Sequence, residues 1–139
     1  MNPTRREMAR ILPALAVAVP VEAQGSPIAS LAYRFEDLPA RATGPNVSRP
    51  ICNGTTHTGF PIEAHETELA AGKEPHPPHH HAHEEMLIMI QGSVDYTVKG
   101  NTTKLGPGGV GFAASNDEHG VRNNSEAPAR YAVIAFRGA

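Results

Sequence analysis

Residues 72–92 read GKEPHPPHHHAHEEMLIMIQG, and the interpretation of the whole chain begins with this stretch. It holds five of the 8 histidines, followed at once by Glu84 and Glu85 and then by the apolar run MLIMI. On an extended strand alternate side chains share a face, so His79, His81 and Glu85 would point to the same side. Imidazole and carboxylate together suit a divalent first-row metal. The stretch therefore predicts a metal site at the start of a buried apolar strand.

An alternative interpretation of HPPHHHAH is a solvated histidine-rich loop that binds metals loosely. Glu85 lies an even number of positions from His79 and His81, so it would share their face of a strand. This shared face and the apolar strand that follows directly favour a defined site. His80 alternates away from its neighbours and is expected to face outward, and His76 is expected near the mouth. His83 alternates so as to face inward, although a bend before Glu85 could turn it to the rim. We assign no role to these three histidines from the sequence.

The same residues resemble the first motif of the cupin superfamily. The pattern His79-x-His81-x-x-x-Glu85, with six further residues before Gly92, is similar to that motif. Six residues separate Gly72 from His79, whereas five are usual in the family. This departure affects the shape of the loop and removes no ligand.

A second cupin-like motif follows at residues 108–123, GGVGFAASNDEHGVRN, with His119 and Asn123 in its histidine and asparagine places. Asn116 stands where the family has a glycine. Asparagine tolerates left-handed backbone better than other non-glycine residues, so this exchange is expected to keep the loop. The resemblance extends over about residues 64–136.

The resemblance implies a small all-β domain, an antiparallel jelly-roll barrel that holds a metal inside. Carried over residue by residue, the implied ligands are His79, His81, Glu85 and His119. They would bind one divalent transition metal per chain, and Mn, Fe, Ni, Co and Zn all suit a site without thiolate. In small cupins an N-terminal strand often crosses to a partner subunit, so we expect a homodimer.

Composition agrees with a single β-rich domain. The chain has 139 residues, 40% of them hydrophobic, with 13 glycines and 13 prolines that favour many turns. The formal net charge of −2 gives no reason to expect nucleic acid as a partner. The single cysteine, Cys52, excludes an intramolecular disulfide.

The first 23 residues are predicted to be a twin-arginine-like signal, which would export the protein to the periplasm or beyond. Three arginines precede an apolar segment at residues 11–21, which is too short to span a bilayer, so no stable membrane anchor is expected. A buried first helix is the alternative, but Pro13 and Pro20 argue against it. Residues 24–60 would form a linker with edge strands, and residues 61–139 the barrel.

Short alternating segments separated by turns predict the strands of this barrel. We expect an edge strand at residues 31–35 and a hairpin turn at Asn53-Gly54. Residues 38–50 are turn-rich and polar. The remaining strands are predicted at residues 60–69, 85–91, 94–98, 102–105, 110–113, 119–123 and 130–136.

The function is predicted from the expected pocket, whose wall would be apolar: Leu87, Met89, Tyr96, Phe112 and Ile134. Tyr96 is the candidate catalytic residue, because its hydroxyl could donate a hydrogen bond or a proton. Arg122 and Arg130 are the guanidinium groups nearest to the expected site, although Arg122 alternates outward.

An apolar pocket favours a small aromatic or enol-like substrate, which makes a dioxygenase-like oxygenase the leading hypothesis. A non-catalytic periplasmic cupin that binds a small ligand or a metal is the first alternative. A metal-dependent isomerase or decarboxylase is the second.

Overall fold

A computed structural model describes residues 27–138 of the chain. The predicted signal segment lies outside these residues. Within this range, no helix has the length and apolar character needed to cross a membrane. The elements are one 3₁₀ helix, Phe35–Asp37, and nine strands: β1 Arg41–Thr43, β2 Asn46–Thr55, β3 Pro61–Leu69, β4 Glu84–Gln91, β5 Val94–Val98, β6 Asn101–Leu105, β7 Val110–Ala113, β8 His119–Arg122 and β9 Ala129–Phe136.

The nine strands of the described part form two antiparallel sheets. One has six strands in the order β1-β2-β3-β9-β4-β7, and the other has three in the order β6-β5-β8. The last strand, β9, lies between β3 and β4 and pairs with both along most of its length. This long-range closure is typical of Greek-key folds. The predicted all-β, antiparallel jelly-roll fold of the cupin type is confirmed.

The core fills the space between the two sheets with aliphatic and tyrosine side chains. Along β9 every second residue is buried, as expected of a strand with one face toward a core. The apolar run of β4 is at least partly buried on both faces, because β4 lies inside the larger sheet between β9 and β7. The buried cluster contains Leu69, Leu87, Met89, Val94, Tyr96, Val121, Ala129, Tyr131 and Val133.

The predicted edge strand at residues 31–35 is wrong. Residues 27–34 have no strand structure, and Leu31 is 68% exposed. The 3₁₀ helix that follows is fixed locally, because Arg34 donates two hydrogen bonds to the Asp37 carboxylate, at 2.8 and 3.1 Å. A local side-chain bond thus prevails over a weakly alternating pattern.

The predicted hairpin turn at Asn53-Gly54 is also wrong, since both residues lie within β2. The chain turns instead after Thr56, whose hydroxyl accepts a hydrogen bond from the Phe60 amide while Gly59 adopts a φ of 86°. The stretch at 38–50 contains β1 and the start of β2 rather than turns alone. Pro50 is accommodated at a register shift between Pro50 and Cys52.

Candidate metal centre

The pairing of three strands places two carboxylates on the inner face of the larger sheet. Ala135 of β9 pairs with Glu63 of β3 on one side and with Glu85 of β4 on the other. In the next inward row, Val133 lies between His65 and Leu87. Because Ala135 carries only a methyl group, the row through Glu85 leaves room above it for other side chains.

His79 reaches Glu85 from a segment that is not a regular strand. Residues 76–83 have bends and a single bridge, in which His79 pairs with His119. The two backbone hydrogen bonds of this bridge measure 3.0 Å and 2.9 Å between nitrogen and oxygen. The predicted strand through the histidines is therefore wrong, although its inward-facing residues still meet.

Two of the histidines are held in matching orientations by backbone carbonyls. Nδ1 of His81 lies 2.7 Å from the carbonyl oxygen of His83, and Nδ1 of His119 lies 2.9 Å from that of Asp117. Since a carbonyl only accepts, each Nδ1 must carry the proton and donate it. Each Nε2 then has a free lone pair in the neutral ring. Metal-binding histidines in proteins are oriented in this way.

Both free nitrogens face the carboxylate of Glu85. Nε2 of His119 is 3.1 Å from Oε1, and Nε2 of His81 is 3.4 Å from Oε2. The contact with His119 is close but does not have hydrogen-bond geometry, so this buried nitrogen has no partner. Nδ1 of His79 is likewise buried without a partner. Orphaned buried nitrogens are rare in proteins, and a metal would satisfy them.

The three imidazoles form a compact triangle. Ring centroids lie 5.0 Å apart for His79 and His81, and 4.8 Å apart for each of these with His119. One ligand atom from each ring lies within 4.8 Å of the others, so this cluster could hold a metal ion. The structure also brings Glu85 to the cluster. We call the four residues His79, His81, Glu85 and His119 the inner site.

The surroundings keep the inner site ready to bind a cation. Burial lowers the pKa of His79, and the neighbouring histidines His76, His119 and His81 lower it further, while Glu85 acts in the opposite direction. A lowered pKa keeps an imidazole neutral, and only the neutral form can ligate a metal.

A cavity of about 280 Å³ opens against two of these residues, Glu85 and His119. Its apolar wall consists of Leu87, Val121, Tyr131 and Val133, and polar groups lie toward β1 and β2. The full lining is Thr43, Asn46, Val47, Ser48, His65, Thr67, Pro75, His76, Glu85, Leu87, His119, Gly120, Val121, Tyr131 and Val133.

Among the residues that line the cavity, His65 was not predicted from the sequence. His65 lines the cavity, and its Nδ1 lies 2.9 Å from Oε1 of Glu63. The predicted strand 60–69 already pointed to it, because His65 lies on the same face of that strand as the buried residues Thr67 and Leu69. Without the register against β9, nothing in the sequence showed that this face looks toward the inner site.

Several residues expected on the pocket wall lie elsewhere. Phe112 is 47% exposed, and Ile134 lies on the face of β9 opposite the buried residues. Tyr96 is buried in the core, where its hydroxyl has no hydrogen-bond partner, and it does not line the cavity. Burial, with a smaller effect of Glu85, raises the pKa of Tyr96 to about 12.

Neither proposed arginine reaches the cavity. Arg122 is exposed and pairs with Glu74 at 3.2 Å. The guanidinium of Arg130 lies 4.3 Å from the centroid of the Phe35 ring, on the other face of the sheet. Arg122 faces outward, as its parity predicted.

The asparagine of the second motif is structural. Asn123 is fully buried, and its amide nitrogen donates to the carbonyl oxygens of Leu69, Ala70 and Ala127 at 2.8–3.3 Å. Asn116 of the same motif has a φ of 62°, so the expectation that asparagine replaces glycine in left-handed backbone is confirmed.

Comparison with known structures supports the fold. The chain superimposes with a TM-score of 0.66 on an RmlC-like cupin from Shewanella frigidimarina, at 16% identity over 79% of this chain and 93% of the other. A predicted oxalate decarboxylase from Thermotoga maritima gives 0.64, at 13% identity over 76% and 98%. The polyketide cyclase RemF from Streptomyces resistomycificus gives 0.63, at 19% identity over 79% and 81%. At such identities the likeness concerns the fold alone.

No curated protein matches the chain in sequence. The family model described as the cupin domain does match, over residues 65–135, from β3 to β9. Strands β1 and β2 precede the matched residues and extend the same sheet. With the jelly-roll topology and both motifs in their expected places, this match shows that the chain belongs to the cupin family.

Proposed function

We propose that this protein is a metal-dependent enzyme that acts on a small organic molecule, with an oxygenase of the dioxygenase type as the leading reaction class. The observation that carries the proposal is the shared orientation of His81 and His119. Each donates Nδ1–H to a backbone carbonyl and turns Nε2 toward Glu85 at the end of an apolar cavity.

In the proposal, the inner site binds one divalent transition metal per chain. Three neutral imidazoles and one carboxylate give a net charge of +1 with such an ion, and Mn, Fe, Ni, Co and Zn all accept this donor set. When bound, the metal would supply Lewis-acid or redox chemistry at its open coordination positions.

The cavity favours a small and largely apolar substrate. Its volume of about 280 Å³ suits a molecule of roughly one ring. Among the residues described as lining it there is no arginine or lysine, so the proposed metal would be the sole cationic partner of a substrate carboxylate there. This favours a small aromatic or enol-like substrate over the carboxylate of a decarboxylase. A metal-dependent isomerase or decarboxylase therefore remains the lower-ranked enzyme hypothesis.

His65 is our candidate for proton transfer during such a reaction. Its Nδ1 lies 2.9 Å from Oε1 of Glu63, which would fix the orientation of the ring, and the ring borders the cavity. A histidine held by a carboxylate is a common general base. His65 would accept a proton from the substrate, and Glu63 would hold the imidazole in position.

A non-catalytic binding protein is the second candidate function. It is favoured by Tyr96, the predicted proton donor, because its hydroxyl is buried in the core and does not line the cavity. If the inner site only captures a ligand or a metal, no proton donor is needed there.

Oxygen uptake separates these candidates. The protein is loaded in turn with Fe²⁺, Mn²⁺ or Ni²⁺ and given a panel of catechols and enols in an oxygen electrode. We expect oxygen consumption with at least one substrate, and its loss in His119→Ala but not in His80→Ala, an exposed neighbour. A thermal shift with these compounds and no oxygen consumption would support the binding function. Product formation without oxygen consumption would support the isomerase or decarboxylase.

Export and dimerisation complete the proposal. Both rest on the sequence: export on the arginine-rich and apolar segment before residue 24, dimerisation on the family resemblance. Cell fractionation with N-terminal sequencing of the native protein tests the first, and light scattering tests the second. A protein found in the cytoplasm with residues 1–23 intact would exclude export, and a monomeric mass would exclude the homodimer.

A further inference from the structure

A second group of ligands lies beside the inner site. His81, His83 and Glu85 each offer one ligand atom, and these atoms lie within 4.8 Å of one another. Two of the three also belong to the inner site, and only His83 is new. The family resemblance gives His83 no role, and the cavity is lined by other residues.

The position of His83 couples it to His81 in two ways. Its ring stacks on that of His81, with centroids 3.5 Å apart and planes 7° from parallel. Its backbone carbonyl accepts the hydrogen bond from Nδ1 of His81 that turns Nε2 toward Glu85. The ligand atom of His83 therefore lies next to His81 and Glu85, and the ring of His81 is already oriented for binding.

The burial of the ligands defines a direction from outside to inside. His119 is 2% exposed, whereas His83 is only partly buried and follows the exposed residue Ala82. An ion that arrives from solvent can therefore meet His83 before it meets His119. His81 and Glu85, which belong to both groups, lie between these two extremes.

The stacked geometry shows how the two groups would alternate. An imidazole ligates in the plane of its ring, so two parallel rings 3.5 Å apart do not aim their lone pairs at one point. His83 must turn off the face of His81 to share an ion with it. His81 has one free nitrogen, so the two groups cannot each hold an ion through it at the same time.

We propose that His83, with His81 and Glu85, forms an entry site where a divalent metal binds before it moves to the inner site. His81 and Glu85 would remain ligands throughout. His79 and His119 would replace the single ligand His83. Such stepwise exchange avoids removing all protein ligands at once, so the entry site speeds both loading and release. The proposal rests on the inner site being a metal site.

The test measures rates as well as affinity. Metal-free protein is mixed with Co²⁺, loading is followed by visible absorption, and release is started with excess chelator. In His83→Gln we expect loading and release to slow together, each by about tenfold, as they would if the entry ligand lowers both barriers by about 1.4 kcal/mol. The dissociation constant should change little, since the inner ligands are intact.

Two further variants control for side effects. His80→Gln removes an exposed histidine that belongs to neither group and should load at the wild-type rate. His83→Asp keeps a ligand at the same position and should recover most of the speed, which a role in stacking alone would not explain.

Three results would overturn the proposal. Loading and release of Co²⁺ by His83→Gln at the wild-type rates would mean that His83 forms no entry site. Weaker equilibrium binding in this variant without slower loading would make His83 a positioning residue. If the wild-type protein takes up no Co²⁺, Mn²⁺ or Zn²⁺ at all, the entry site and the proposed function both fail.

Discussion

His79 and His119 are joined by a pair of backbone hydrogen bonds of 3.0 and 2.9 Å, although 40 positions separate them in the chain. Their imidazole rings lie 4.8 Å apart as a result. The bridge attaches the irregular segment 76–83 to β8 and so fixes one histidine of the first motif against the histidine of the second. The candidate metal centre thus depends on a backbone contact that keeps an irregular loop in place.

Replacing His119 with alanine should abolish stoichiometric metal binding. The side chain is 2% exposed, and its Nε2 has no hydrogen-bond partner. Mutation of a residue that only hydrogen-bonds to a metal ligand typically lowers metal affinity by about 10–100-fold. Loss of a direct ligand should therefore weaken binding by about 100-fold or more. The measurement is metal content by elemental mass spectrometry after dialysis, with circular dichroism to check the fold.

The matched control is His80→Ala, which removes an exposed histidine from the same tract. It should retain the wild-type amount of metal. A His119→Ala protein that keeps its full metal content would refute the inner site. Equal losses in both variants would indicate loose binding by the histidine-rich tract as a whole.

The sequence predicted the parts of the fold in which pattern and pairing agree. Alternation predicted β5 and β7 at the observed bounds and β9 to within one residue, because each of these strands has one face toward the core. Two of the wrong predictions, the edge strand and the hairpin turn, lie in the N-terminal half, where local hydrogen bonds of Arg34 and Thr56 decide the backbone path. Those bonds depend on side-chain geometry that spacing does not reveal.

Part of the candidate site was also predictable. Alternation along the chain and the family motif identified four residues that do converge, although the segment carrying His79 and His81 is not a strand. The cavity wall could not be predicted, because it depends on how β9 aligns with β3 and β4. That register brings His65 to the wall and turns Ile134 away from it.

Replacing Asn123 with alanine should destabilise the fold without removing a ligand. Its side chain donates to three backbone carbonyls and accepts from the amide and hydroxyl of Ser125. Leaving these buried groups unsatisfied should lower the free energy of unfolding by about 3 kcal/mol. Urea denaturation measures the change.

Asn124→Ala provides the comparison, because this neighbour makes only exposed side-chain bonds, to Arg122 and Asp95. Its effect should stay within about 0.5 kcal/mol. If both variants unfold at the same urea concentration, the hydrogen bonds of the Asn123 side chain do not stabilise the fold.

Replacing Gly92 with alanine should be more harmful than the same change at Gly100. Both glycines have positive φ, 74° and 78°. A β-carbon at Gly92 would lie 2.8 Å from the carbonyl oxygen of Pro128, whereas none of the described atoms lies within 4 Å of one at Gly100. We expect the free energy of unfolding to fall by about 1 kcal/mol at Gly100, from backbone strain alone. At Gly92 it should fall by about 3 kcal/mol, because overpacking adds to the strain.

Thermal or urea unfolding of the two variants decides the matter. Because φ is nearly the same at both positions, the difference between them isolates the close approach of the turn after β4 to the start of β9. Equal losses would mean that the backbone moves apart at little cost and that Gly92 is needed only for its φ.

Stability should fall at alkaline pH, and Tyr96 should account for part of the fall. Burial raises the pKa of its hydroxyl from about 10 to about 12 in the folded state. Because the folded pKa is the higher one, the contribution is complete below pH 10 and is lost as pH rises toward 12. Linkage gives a loss of about 2 kcal/mol over this window.

Tyr96→Phe tests this prediction and the catalytic assignment together. The change removes a buried hydroxyl that has no partner, so the variant should be more stable by about 1 kcal/mol at neutral pH and should show a flatter alkaline decline. Urea midpoints from pH 8 to pH 12 measure both effects. If the variant gains stability but loses turnover, Tyr96 serves catalysis at a cost in stability. If it loses stability, the hydroxyl has a hydrogen-bond partner in solution, such as a buried water.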